Sequence, residues 1–238
     1  MNPNDPNVAM VEMVAARLDV LLERVVFVGG CAAGLLITDP ALPAIRATVD
    51  VDVVVEAATL ASYHKLEREV ARAGFERDRR EGAPVCRWRL REAVLDLMPS
   101  DKAVLGFANR WYPLAVRTAH PVVLPSGAAI RLVRAPVFVA TKLEAFFDRG
   151  GDDFLMSHDL GDVLAVVDGR EELIAEFDGA DAALTRFVGE TFARLLATPR
   201  FSDYLGGHLP GDDASQARLP LLEARLAQLA ALGAEDRA

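Results

Sequence analysis

Arg46-Ala47-Thr48-Val49-Asp50-Val51-Asp52-Val53-Val54-Val55 is the stretch on which the fold turns. Read with the two-residue period of a strand, Thr48 to Val55 points Val49, Val51 and Val53 one way and Asp50, Asp52 and Val54 the other. A strand with an all-valine face belongs inside a sheet. Two carboxylates on its remaining face are then costly unless a cation compensates them, and Mg²⁺ is a cation that takes carboxylate oxygens. The same pair at a sheet edge would be solvated decoration. Upstream, the strand formers Val25-Val26-Phe27-Val28 end at Gly29-Gly30, and Ala32 to Ile37 reads as a helix closed by Asp39-Pro40. Two glycines between a strand and a helix leave backbone N–H groups available to phosphate oxygens, although Gly-Gly alone marks only a turn. Downstream, Asp96 alternates with Leu95 and Leu97. A strand carrying Asp96 beside the first would bring three acids together, the donor set of a two-metal site.

The remaining segments place these strands in a mixed α/β chain. Helical spacing runs over Val8 to Arg24 and over Thr59 to Ala73, where Gly74 supplies the C′ residue. Val85 to Arg91 and Val94 to Met98 read as a hairpin, with Cys86, Trp88 and Leu90 on one face and Arg87, Arg89 and Arg91 on the other. A second hairpin joins Val122-Val123-Leu124 to Ala128–Val133 through Pro125-Ser126-Gly127. After Pro136 the helical period dominates, over Phe138–Phe147, Leu155–Val167, Glu171–Phe177 and Ala182–Leu196. A linker near 206–216 precedes a last amphipathic helix from Pro220 to Leu232. The expected organisation is an α/β domain over 1–135 and a helical domain over 136–238, with the site in the cleft between them.

Composition narrows the function classes. In 238 residues, 26 Lys and Arg stand against 35 Asp and Glu, a net charge of −9, which argues against a DNA-wrapping or polybasic membrane-surface protein. No DNA-binding motif is present. The two cysteines, Cys31 and Cys86, make neither a disulfide framework nor a four-ligand zinc site, and the four histidines lack ligand spacing. The apolar run Val25–Ile37 is shorter than the roughly 18–20 residues that span a bilayer. The N-terminus lacks a signal-peptide pattern, and the expectation is a cytoplasmic protein without a membrane partner.

Val28-Gly29-Gly30-Cys31-Ala32 followed by Arg46-Ala47-Thr48-Val49-Asp50-Val51-Asp52-Val53 resembles the signature of the DNA polymerase β-like nucleotidyltransferase superfamily. Lys142-Leu143-Glu144-Ala145, Arg149 and His158-Asp159-Leu160-Gly161-Asp162-Val163-Leu164 resemble the later helices of its AbiEii-type branch, the toxins of type IV toxin–antitoxin systems. The resemblance covers roughly Phe27 to Val167. It implies a mixed nucleotidyltransferase sheet flanked by helices, two Mg²⁺ ions and an NTP as co-substrate. Gly29 and Gly30 would cradle the triphosphate, Asp50 and Asp52 would hold Mg²⁺, and Asp96 would be the third acid. Lys142 would contact nucleotide phosphates, Asp159 would orient it or the substrate, and Arg46 and Thr48 would brace the D-x-D strand. Cys31 stands where a hydroxyl residue often follows the glycines, and His158 replaces the usual basic residue before Asp159.

Between Lys65 and Arg91 nine basic residues face five acidic ones, a local excess of about four positive charges in an acidic protein. Such a segment steers a polyanion, forms a solvated face, or pairs with acids such as Asp96. Trp88 and Trp111 read as core, as does Cys86. The expected activity is transfer of an NMP to an acceptor hydroxyl, and the toxin-like resemblance implies RNA, at the tRNA 3′ end, or a protein side chain as acceptor and an antitoxin protein as partner. The alternatives are a small-molecule acceptor of aminoglycoside type, which an acidic cleft would attract, and a non-catalytic nucleotide- or partner-binding module.

Overall fold

Runs of β-branched residues bounded by polar turns dictate where the sheet forms. In a computed structural model describing residues 5–42, 45–91 and 93–233, the strands are β1 (Val25–Val28), β2 (Val51–Val55), β3 (Glu76–Arg77), β4 (Arg87–Leu90), β5 (Ala93–Pro99), β6 (His120–Val123) and β7 (Ala129–Leu132). They form one mixed sheet in the order β3-β4-β5-β2-β1-β7-β6. β2 lies between antiparallel β1 and parallel β5, the interior position its valines require. Both expected hairpins are present, β4 with β5 and β6 with β7.

Chain contacts divide the described residues into a sheet unit, Asp5–Ala32 with Arg46–Arg134, and a helical unit, Ala33–Ile45 with the chain from Ala135 onward. The helices that start in the sheet unit are α1 (Val8–Leu18), α2 (Gly29–Leu36), α3 (Leu60–Arg72), α4 (Lys102–Leu105) and α5 (Tyr112–Thr118). α3 begins at a capping box between Thr59 and Ser62 and buries Tyr63, Leu66, Glu67 and Val70 along one stripe. The Tyr63 hydroxyl donates to the Leu97 carbonyl at 2.7 Å.

The helical unit contains α6 (Ala135–Asp148), α7 (His158–Gly169), α8 (Ala182–Leu196), α9 (Pro199–Tyr204), α10 (Asp213–Gln216) and α11 (Leu219–Ala231). α6 packs on α7 and α8, and α11 packs on the same two helices. Phe138, Leu143, Leu160, Val163, Val188, Phe192, Leu226 and Leu229 fill the core. α8 and the end of α11 approach so closely that a Cβ at Gly189 would lie 2.6 Å from the Gly233 Cα. Only glycine fits that crossing.

Some boundaries differ from the sequence expectation. β2 starts at Val51, so Thr48, Val49 and Asp50 precede the strand, and Val49 is 75% exposed rather than part of the valine face. The helix expected to reach Arg24 stops at Leu18, where Asp19 at φ 43° turns the chain into a 3₁₀ segment. Glu171–Phe177 forms two 3₁₀ turns rather than a helix. The segment 206–216 is ordered by Gln216, whose Nε2 donates to the carbonyls of Gly206, Leu209 and Pro210. Among the described residues no helix is long and apolar enough to cross a membrane.

Candidate functional site

Register across four strands places Arg87 opposite Asp96, Asp96 beside Asp52, and Asp52 opposite Val28. Side chains of directly paired residues project from the same face, so Arg87, Asp96 and Asp52 form one row. Like charges opposite one another destabilise a sheet unless compensated. Arg87 supplies the compensation. Its Nε donates to Asp96 Oδ1 at 2.8 Å, and its Nη2 donates to Asp96 Oδ2 at 2.6 Å and to Asp50 Oδ2 at 2.8 Å. These bonds raise the Arg87 pKa, the Asp96 hydrogen bond first and foremost. The side chains are 21% exposed for Arg87 and 10% for Asp96, so water screens the pair only partly.

Asp52 meets the Gly29 backbone at the opposite end of the row. A Cβ at Gly29 would overlap the carboxylate, lying 2.5 Å from Asp52 Cγ, and Gly29 also sits at φ +67°. The glycine is required twice over, by space and by conformation. Asp50 is fixed from the loop before β2, where the Thr48 hydroxyl donates to Asp50 Oδ1 at 3.0 Å. Asn7 holds that loop: its Oδ1 accepts from the Thr48 N–H at 2.8 Å and its Nδ2 donates to the Arg46 carbonyl at 3.2 Å. No sequence signal tied Asn7 to this loop, because the contact spans about forty residues. Arg46 contributes this carbonyl, and its side chain is exposed.

The residues flanking the row are buried. Gly30 is buried, and Cys31 has no exposure, with its Sγ–H directed to the Val28 carbonyl at 3.2 Å. The Cys31 thiol is therefore turned into the fold, and any phosphate contact at Gly29-Gly30-Cys31 belongs to the backbone. Cys86 lies just before β4, and burial, then the negative charge of Asp96, pushes its thiol up to about 12. Trp88 and Trp111 are buried, as expected of core residues.

Four arginines of the basic segment have carboxylate partners. Besides Arg87, Arg77 pairs with Glu67 and lies over the Trp88 ring at 5.3 Å, Arg80 pairs with Asp78, and Arg89 reaches Asp78 at 3.9 Å. Lys65, Arg68 and Arg72 are exposed at helical spacing along α3.

In the helical unit, α6 and α7 bring together Lys142, Asp159 and Asp162. Lys142 Nζ is 3.1 Å from Asp159 Oδ1 and 2.7 Å from Asp162 Oδ2. Arg149 pairs with Asp159 as well, and Ser157 caps α7 immediately before these acids. Lys142 is held by two carboxylates, with its side chain 10% exposed. The expected association of Lys142 with Asp159 is present, and Asp162 joins it.

Among the described residues, no group of three or more His, Cys, Asp and Glu side chains is arranged to hold a metal ion, and Arg87 lies between Asp50 and Asp96. No protein-family model matches the chain, and no curated protein matches it.

Proposed function

We propose that the chain is a Mg²⁺-dependent nucleotidyltransferase of the DNA polymerase β-like superfamily, in its AbiEii-type branch. The observation that carries the reading is the carboxylate row: Asp96 and Asp52 on paired strands, Asp50 on the preceding loop, and Gly29 packed against Asp52. Asp50 and Asp96 share a single guanidinium, and hard oxygen donors of this kind suit Mg²⁺. Asp50, Asp52 and Asp96 would hold the metal once the Arg87 guanidinium leaves the oxygens it occupies, and the bound ion would neutralise charge on the phosphates and lower the pKa of an acceptor hydroxyl. Thr48 and Asn7 hold Asp50 in place. Backbone N–H groups at Gly29-Gly30, where α2 begins, would face the phosphates as oriented dipoles that act without reorganisation. The acceptor oxygen bonds to the α-phosphorus, the bond to the β-phosphate oxygen breaks, pyrophosphate leaves, and Asp96 accepts the acceptor's proton. Lys142 and Asp159 contribute through the pair they form in the helical unit.

The favoured acceptor is RNA at the tRNA 3′ end. Lys65, Arg68 and Arg72 on one exposed face of α3 supply positive charge for its phosphates. A small-molecule acceptor is the alternative for which the net charge of −9 speaks. The Arg87 bridge favours a second reading, a module in which an arginine permanently neutralises the acids and no transfer occurs. Incubation with Mg²⁺, each α-labelled NTP in turn, and either total tRNA, an aminoglycoside mixture or no acceptor tests these readings. Label in tRNA supports the favoured one. Label in the aminoglycoside redirects the acceptor, and label nowhere supports the silent module.

A further inference from the structure

We propose that Arg87 is an exchangeable internal counter-ion, competing with a divalent cation for Asp50 and Asp96. This rests on the metal-binding reading of the row. The guanidinium occupies both oxygens of Asp96 and one of Asp50, and its Nη2 alone spans the two carboxylates. A divalent cation held by those acids would compete for the same carboxylate oxygens and would stand against a like charge.

The two cations therefore oppose each other, and metal binds with an apparent affinity reduced by the fraction of molecules in which Arg87 has let go. The local structure lets the side chain leave while the backbone stays. The Arg87 N–H donates to the Pro84 carbonyl at 3.0 Å and its carbonyl accepts from the Asp78 N–H at 3.0 Å. The strand end is thus pinned independently of the guanidinium. The side chain is 21% exposed, which leaves it a path to solvent. In the metal-free protein, Arg87 keeps the acids from repelling one another. In the metal-loaded protein, that role passes to the ion.

Mn²⁺ titration of the metal-free full-length chain, read as loss of the free-ion electron paramagnetic resonance signal, tests the exchange without any turnover. Arg87→Gln is expected to bind Mn²⁺ at least about fivefold more tightly than wild type, the low end of usual site–site coupling. Arg87→Lys, which keeps the charge but loses the planar fork, should fall between them. Equal or weaker binding by Arg87→Gln, with wild-type binding abolished by Asp50→Asn, overturns the competition and leaves the metal site standing. Absence of Mn²⁺ binding by every variant overturns both.

If Arg87→Gln does not fold, the wild-type protein alone decides the matter. The Arg87 Nε–H nuclear magnetic resonance signal should shift and exchange faster with solvent as Mg²⁺ is added. An unchanged signal while Mg²⁺ binds contradicts the proposal.

Discussion

Two of the molecule's ion clusters differ in how their charges are shared. In the helical unit, Asp159 is shared by two bases, Lys142 and Arg149, and Lys142 also reaches Asp162. In the sheet unit, Asp50 and Asp96 share one base, Arg87, and Asp52 stands beside Asp96. An acid held by two bases fastens helices to one another. Two acids sharing one guanidinium can also accommodate a further cation. Both clusters contain acids that pattern reading alone would assign to solvent. How the charges are shared separates a fastening from a candidate site.

The largest effect is expected at the end of the carboxylate row. Gly29→Ala forces a Cβ into the Asp52 carboxylate at a left-handed φ and should destabilise the protein by about 3 kcal/mol or more, read as a lowered denaturant midpoint. Near-neutral behaviour of that variant would remove the tight coupling of Asp52 to the turn.

Charge removal should then act with opposite sign in the two clusters. Asp159→Asn breaks a buried pair and should cost about 2 kcal/mol, whereas Asp50→Asn removes one of two acids sharing Arg87 and should leave stability unchanged or raised by up to about 1 kcal/mol. Equal losses in thermal melts of the two variants would erase the distinction.

Smaller effects are expected in the supports of Asp50. Thr48→Val removes one hydrogen bond to the carboxylate and should cost about 1 kcal/mol, and Asn7→Ala about 1–2 kcal/mol because it leaves the Thr48 N–H and the Arg46 carbonyl without that partner. The least perturbing test is thiol titration at pH 8. Both thiols are enclosed, and burial with the neighbouring Asp96 charge pushes the Cys86 thiol up, so neither should react with a disulfide reagent until denaturant is added.

Much of the row was legible because strand alternation is a local rule. The two-residue period put Asp52 and Asp96 on outward faces of apolar strands and Arg87 on the arginine face of its hairpin. Their meeting depends on a parallel pairing of β2 with β5 that no local pattern specifies. The valine at position 49 misled for a related reason: the alternation continues one turn further than the hydrogen-bonded strand, which ends where the loop is captured by Asn7. Gly29-Gly30 suggested a phosphate turn from composition, while the contact with Asp52 that makes Gly29 obligatory is a tertiary one. In the helical half, the period located α8 at its full length, yet the 3₁₀ turns after Arg170 were hidden because a short apolar stripe reads alike in both helix types.

Pyrophosphate release tests the central claim most directly, because it accompanies transfer to any acceptor. Wild type and the Asp50→Ala, Asp52→Ala double variant, both confirmed folded by circular dichroism, would be incubated with Mg²⁺, the four NTPs and a cell extract containing RNA and small molecules. The account predicts Mg²⁺-dependent pyrophosphate from wild type and a loss of about a hundredfold or more in the variant. Equal release from both proteins would contradict it.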